Sequence, residues 1–107
     1  MTTHAPGTIA VIFVSLATGE DVEGYAAAGA EAEALAAAQP GYRGIESVRG
    51  ADGVGISVSY WADEATAVAW RQNPRHAEIR EMGRGRWYQW YSLHVAEIGR
   101  SYDWEKG

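Results

Sequence analysis

The run from Thr8 to Leu16, TIAVIFVSL, is apolar or β-branched at almost every position and does not alternate. A strand with one wet face would place a polar residue at every second position, so this run predicts a strand covered on both sides. The chain has 107 residues, which sets one domain, 1–107. A domain of that size buries only about two-thirds of the surface its unfolded chain exposes. One layer of helices can cover one face of the strand, and the economical cover for the other is a second copy of the chain.

The elements that follow fit such a sheet. Thr18-Gly19 breaks the strand, and the Ala-rich stretch from about Glu20 to Gln39, with acids in its early turns, predicts a helix closed by Pro40-Gly41. Tyr42 to Gly50 and Val54 to Trp61 predict two strands joined by a turn at Ala51-Asp52-Gly53. The second of them alternates, with Val54, Ile56, Val58 and Tyr60 on one side and Gly55, Ser57, Ser59 and Trp61 on the other. Asp63 can cap a helix carrying Ala65, Val68 and Ala69, Asn73-Pro74 interrupts it, and a second segment restarts at Pro74 and runs to Met82, where Gly83 and Gly85 loosen it. Trp90 to Ile98 is extended again, with Tyr91, Leu93 and Val95 on one face and Trp90, Ser92, His94, Ala96 and Ile98 on the other. The tail from Gly99 is polar apart from Tyr102 and Trp104. The order is βαββαβ with a central hairpin, an α+β, ferredoxin-like arrangement with an antiparallel sheet. Its bare sheet face predicts a homodimer.

Charge and cysteine usage narrow the function. The net charge is −5, with two arginines against nine acids up to residue 70 and seven bases against five acids after it. An acidic chain with one lysine, Lys106, does not predict a nucleic-acid surface. The arginines at 71, 75, 80, 84 and 86 suit a fixed carboxylate or phenolate. With no cysteine there is neither a disulfide framework nor a thiol nucleophile. The apolar run is too short to span a bilayer and the start of the chain lacks a basic leader pattern, so the expectation is a cytoplasmic protein without membrane association.

The usual catalytic signatures are missing. His4, His76 and His94 do not form a metal-ligand spacing, and there is no phosphate-binding loop, dinucleotide fingerprint or nucleophile elbow, so neither a metal site nor a cofactor is expected. Nine of twelve aromatics lie between Tyr60 and Trp104. They are either core filling or the walls of a flat apolar pocket, with Tyr60, Trp61, Trp70, Trp87, Tyr88, Trp90 and Tyr91 as candidates. His76 and His94 are each either ordinary hydrogen-bonded residues or proton acceptors. Arg80 and Arg84, four residues apart, share a helical face and are either solvated or hold an anion. Glu46 reads as an edge or dimer-face ion-pair residue.

Gly55-Ile56-Ser57-Val58-Ser59-Tyr60-Trp61, the preceding Pro40-Gly41-Tyr42-Arg43-Gly44-Ile45-Glu46-Ser47, Trp70 nine residues after Trp61, and Gly85-Arg86-Trp87-Tyr88 before a strand resemble the antibiotic biosynthesis monooxygenase family. The resemblance runs from about Thr8 to Tyr102. It implies a ferredoxin-like monomer, a dimeric α/β barrel and a pocket between sheet and helices. Family activities include cofactor-free oxidation of phenols and quinols with O₂, and haem degradation. For the haem-degrading branch Trp70 matches, but the iron-ligating histidine falls at Arg80 and the first-strand asparagine near Ile12. The expectation is therefore a cofactor-independent monooxygenase of a small aromatic, quinol-like or polycyclic phenolic substrate. His76, His94 and Arg80 are its candidate catalytic residues, and Tyr60, Trp61, Trp70, Arg84, Trp87, Tyr88 and Trp90 its candidate substrate contacts. The alternatives are a non-catalytic dimeric module that binds a hydrophobic ligand, and an atypical haem binder.

Overall fold

The computed structural model describes residues 3–107. Strand β1 (Ile9–Ala17) leads into helix α1 (Val22–Ala37), followed by the hairpin β2 (Tyr42–Arg49) and β3 (Val54–Trp61). Helices α2 (Glu64–Arg71) and α3 (Pro74–Met82), a π-helical turn at Gly83–Trp87 and strand β4 (Tyr88–Glu97) complete the chain. The strands form one antiparallel sheet in the order β2-β3-β1-β4, the ferredoxin-like order expected of the element sequence. Among the described residues no helix is long and apolar enough to cross a membrane.

Local chemistry sets the helix boundaries. Asp21, held at a positive φ of 49°, caps α1 by accepting from the Gly24 N–H. Asp63 caps α2 in a reciprocal box with Thr66. Asn73 accepts from the His76 N–H, and Pro74 takes the first position of α3, where its missing N–H is not needed. Gly41, at φ 82°, turns the chain into β2 against the Thr66 side chain, which leaves no room for a Cβ.

The pairing of β1 with both neighbours divides the sheet residues between two faces. Ile9, Val11, Phe13 and Ser15 sit in line with Trp61, Ser59, Ser57 and Gly55 on one side and with Glu97, Val95, Leu93 and Tyr91 on the other. This is the helix-covered face. Its main core joins Ile9, Ala36, Trp61, Ala67 and Trp70, with Trp61 at 0% exposure. A second cluster joins Ala28, Ile79 and Trp87 and is flanked by Tyr25, Ala32 and Tyr88. The opposite face carries Ala10, Ile12, Val14 and Leu16 with Val54, Ile56, Val58 and Tyr60 beside them, and no helix packs on it.

Strand β4 starts at Tyr88, two residues before the expected Trp90. The reason lies in the preceding turn: Gly83 and Gly85 widen the end of α3 into a π-helical turn instead of releasing it into a loop. Thr18 then pins that turn to the end of β1, its N–H donating to the Trp87 carbonyl and its hydroxyl to the Arg86 carbonyl.

Because Trp61 has no exposed surface and stacks on Trp70, Trp61→Ala should cost about 3–5 kcal/mol of stability. Urea unfolding read by circular dichroism measures it.

Candidate functional site

Two aromatic clusters occupy opposite ends of the helix-covered face. At the Ile9 end, Trp61 and Trp70 stack at 5.8 Å with 21° between planes, and His76 lies flat on Trp70 at 4.0 Å and 10°. Trp61 donates from Nε1 to the Ser59 hydroxyl, and Tyr42 meets its ring edge-on. The proline restart of α3 is what allows the His76–Trp70 contact, since it turns the chain back over the last turn of α2.

His76 is half-buried, and its Nδ1 lies 3.0 Å from the Trp70 carbonyl oxygen. A carbonyl only accepts, so Nδ1 carries the hydrogen and the neutral ring keeps its lone pair on Nε2. Burial lowers the His76 pKa below the ordinary histidine value, outweighing the Trp70 carbonyl, and the Arg80 charge adds to the lowering. The ring is thus held as a neutral base near physiological pH. Arg80, one turn on, donates to the Arg71 carbonyl across the α2–α3 junction.

At the Ser15 end, Tyr88 meets Phe13, Tyr25 and Tyr91 edge to face, while Phe13–Tyr91 and Tyr25–Trp87 pack tilted. Burial, followed by the neighbouring Tyr25 hydroxyl, pushes the Tyr88 phenol well above the usual tyrosine range, so it stays protonated. Arg84 donates to the Tyr91 hydroxyl at 2.6 Å and pairs with Glu81. Arg49 reaches from β2 to the Tyr25 hydroxyl, the Ser15 hydroxyl and the Gly53 carbonyl. Its guanidinium lies over Gly55, where any Cβ would collide with it. Asp21 accepts from Trp87 Nε1 and pairs with Arg86, which ties the start of α1 to the π-turn.

Between these ends the face presents Val11, Ser57, Ser59, Leu93 and Val95. Leu93 and Val95 are 48% and 51% exposed, so the helices leave the β4 side open. An open recess of about 450 Å³ lies at the Ile9 end beside Ile9, Asp63, Glu64 and Val95, and another of about 260 Å³ at the far end is lined by Arg84, Tyr88, Gln89, Trp90 and Tyr91. No three His, Asp or Glu side chains among the described residues come close enough to hold a metal ion.

The residues singled out from sequence divide between the faces. Trp61, Trp70, His76, Arg80, Arg84, Trp87 and Tyr88 lie on the helix side. Of these, Trp61, Trp70 and Trp87 are buried, while Arg84 is exposed. Tyr60, Trp90 and His94 lie on the bare face, in line with Ala10, Leu16 and Ile12. The two histidines proposed for proton transfer therefore sit on opposite sides of the sheet. The Arg49–Ser15–Tyr25 link and the Asp21 tie were not anticipated. Their sequence trace is the pair of small residues, Ser15 and Gly55, that interrupt two apolar strands at matching positions.

The antibiotic biosynthesis monooxygenase family model matches residues 8–82, and the chain belongs to that family. It is 43% identical over 98 residues to the uncharacterised protein YqjZ of Bacillus subtilis (strain 168), covering 92% of this chain and 85% of that one. Among solved structures it resembles a Bacteroides thetaiotaomicron protein named for the same family, with a TM-score of 0.76 at 17% identity over 94% of this chain and 97% of that one. It also resembles SnoaB from Streptomyces nogalater, described as a cofactor-independent oxygenase, with a TM-score of 0.74 at 15% identity over 84% and 91%. At these identities the structural likenesses establish the fold.

Asp21→Ala removes the α1 cap, the Trp87 Nε1 acceptor and the Arg86 partner together. It should cost about 1–2 kcal/mol. Chemical denaturation measures the loss, and faster amide exchange at residues 83–87 locates it.

Proposed function

We propose that the chain is a cofactor-independent monooxygenase acting on a small quinol-like or polycyclic phenolic substrate, working as a homodimer joined through the bare sheet face. The observation that carries the reading is His76, a neutral imidazole with its lone pair on Nε2, stacked on Trp70 and one helical turn from Arg80. Family membership and the SnoaB-like fold support it. A phenol lying against the helix side of the sheet gives its proton to His76 Nε2, and the Arg80 guanidinium holds the phenolate that results. The electron-rich ring passes one electron to O₂, forming superoxide and a substrate radical, which join in a C–O bond. The peroxide anion so formed takes back the proton from His76, and the hydroperoxide then loses water, with the hydrogen of the oxygenated ring carbon, to leave a quinone. Val11, Leu93 and Val95 offer the ring an apolar floor, open along the β4 side.

Oxygen uptake with a panel of dihydroxy-aromatics tests this. His76→Ala should lower kcat by about 10²–10⁴-fold, and Arg80→Ala, which removes a contact made only as the phenolate forms, should also lower kcat. Because the His76 pKa is lowered and the base works in its neutral form, the acid limb of the kcat/KM profile should lie below the ordinary histidine range. Activity should accordingly persist into mildly acidic buffer.

One observation favours a second reading, a dimeric module that binds an aromatic ligand without turning it over. Three of the tryptophans are spent on core packing and the two recesses described above are open. Ligand-dependent tryptophan quenching without oxygen consumption would decide for it.

A further inference from the structure

The bare sheet face is mostly apolar, Ser92 on β4 being an uncharged polar exception, and the register places its one acid and its one strand histidine in a single row. Glu46 on β2 is opposite Val58 on β3, Val58 is opposite Ile12 on β1, and Ile12 is opposite His94 on β4. The row therefore runs Glu46–Val58–Ile12–His94, with the acid on one edge strand and the histidine on the other. Three strand spacings separate them, about 14 Å, too far for a contact within one chain. On the strands of this face the remaining titratable group is Tyr60, one row away. Tyr60 stacks against His4 at 3.9 Å, and its phenol is raised by burial and by the nearby Glu46 carboxylate.

Two sheets that meet face to face under two-fold symmetry have their axis in the plane between them. An axis across the strands lays each strand antiparallel on its own copy, so Glu46 on β2 meets only the partner's β2 and never the partner's His94 on β4. An axis along the strands lays β2 on the partner's β4 and β3 on the partner's β1. It sets Glu46 against the partner's His94 at both edges of the row and Val58 against the partner's Ile12 in the middle. The adjoining row is Gly44–Tyr60–Ala10–Ala96. Under the same axis the bulky Tyr60 falls on the partner's small Ala10, and Gly44 on the partner's Ala96. Charge and size thus select the same axis independently.

We infer that two copies of this chain assemble with the two-fold axis parallel to the strands, locked by a pair of reciprocal Glu46–His94 contacts between protomers. The inference rests on the homodimer reading above and adds its geometry and its specificity contacts. It gives His94 a role in choosing the partner, separate from proton transfer at His76.

Analytical ultracentrifugation of the full chain tests it with a charge exchange, circular dichroism confirming that each variant is folded. His94→Glu sets two carboxylates against each other twice per dimer and should weaken association at least about tenfold. Glu46→Lys removes the acceptor and should weaken it as well. The double variant, Glu46→Lys with His94→Glu, should restore the dissociation constant to near the wild-type value. Glu46→Gln and His94→Gln, which keep the size of the face, should each give a milder loss should the charged variants fail to fold. A dimer in which the double variant is as weak as the two losses combined overturns the pairing and leaves the homodimer standing. A wild-type chain that stays monomeric at every concentration overturns both.

Discussion

A central strand with apolar side chains on both faces needs two covers, and the rest of the molecule is organised around supplying them. On one side Ile9, Val11 and Phe13 meet α1, α2 and α3 through large aromatics: Trp61 and Trp70 at one end, Trp87 and Tyr88 at the other. On the other side Ile12, Val14 and Leu16 have no helix over them, and at one end His4 stacks on Tyr60 beside the buried Ala10. Exposed apolar area of this extent on a small chain is costly in water, since each square ångström left uncovered forfeits about 25 cal/mol. The two faces thus have different tasks. The helix side offers shape, a base and a cation, and the bare side offers an uncovered apolar surface.

On the helix side, one aromatic stack serves two purposes. Trp70 closes the core against Trp61 while its outer face and its backbone carbonyl orient His76. A histidine fixed in this way loses little freedom on accepting a proton, because the ring is already placed and its tautomer already set. The rigidity comes from an otherwise ordinary device, a helix broken and restarted at Asn73-Pro74, which turns α3 back across the end of α2. The second aromatic cluster is held differently, by Arg49 crossing from β2 to Tyr25 and Ser15 and by Asp21 joining α1 to Trp87. Stacking organises one end of the face and hydrogen bonding the other.

Much of this architecture was legible in the residues. The β3 alternation, the Gly-containing hairpin turn and the Asn73-Pro74 restart are local signals, and each appears where the pattern placed it. Which face a given side chain occupies relative to another strand is not local. Tyr60 and Trp61 could be assigned to opposite sides from their own strand, but setting His94 beside Ile12 required the register of β4 on β1. The same holds for Arg49, whose partners Ser15 and Tyr25 are 34 and 24 residues away. The tautomer of His76 depends on one carbonyl six residues earlier, brought round by the helix break. Periodicity carries no record of such contacts.

The π-turn between α3 and β4 acts as a phase adjuster. A strand turns its side chains over with every residue, so the number of residues between Met82 and Tyr88 decides which half of β4 looks inward. With the helix end and the strand position held, one residue fewer in that turn would carry Tyr91, Leu93 and Val95 to the bare face and bring Trp90, Ser92 and His94 beneath the helices. The allocation of chemistry between the two sides of this sheet is thus written in the length of one five-residue turn.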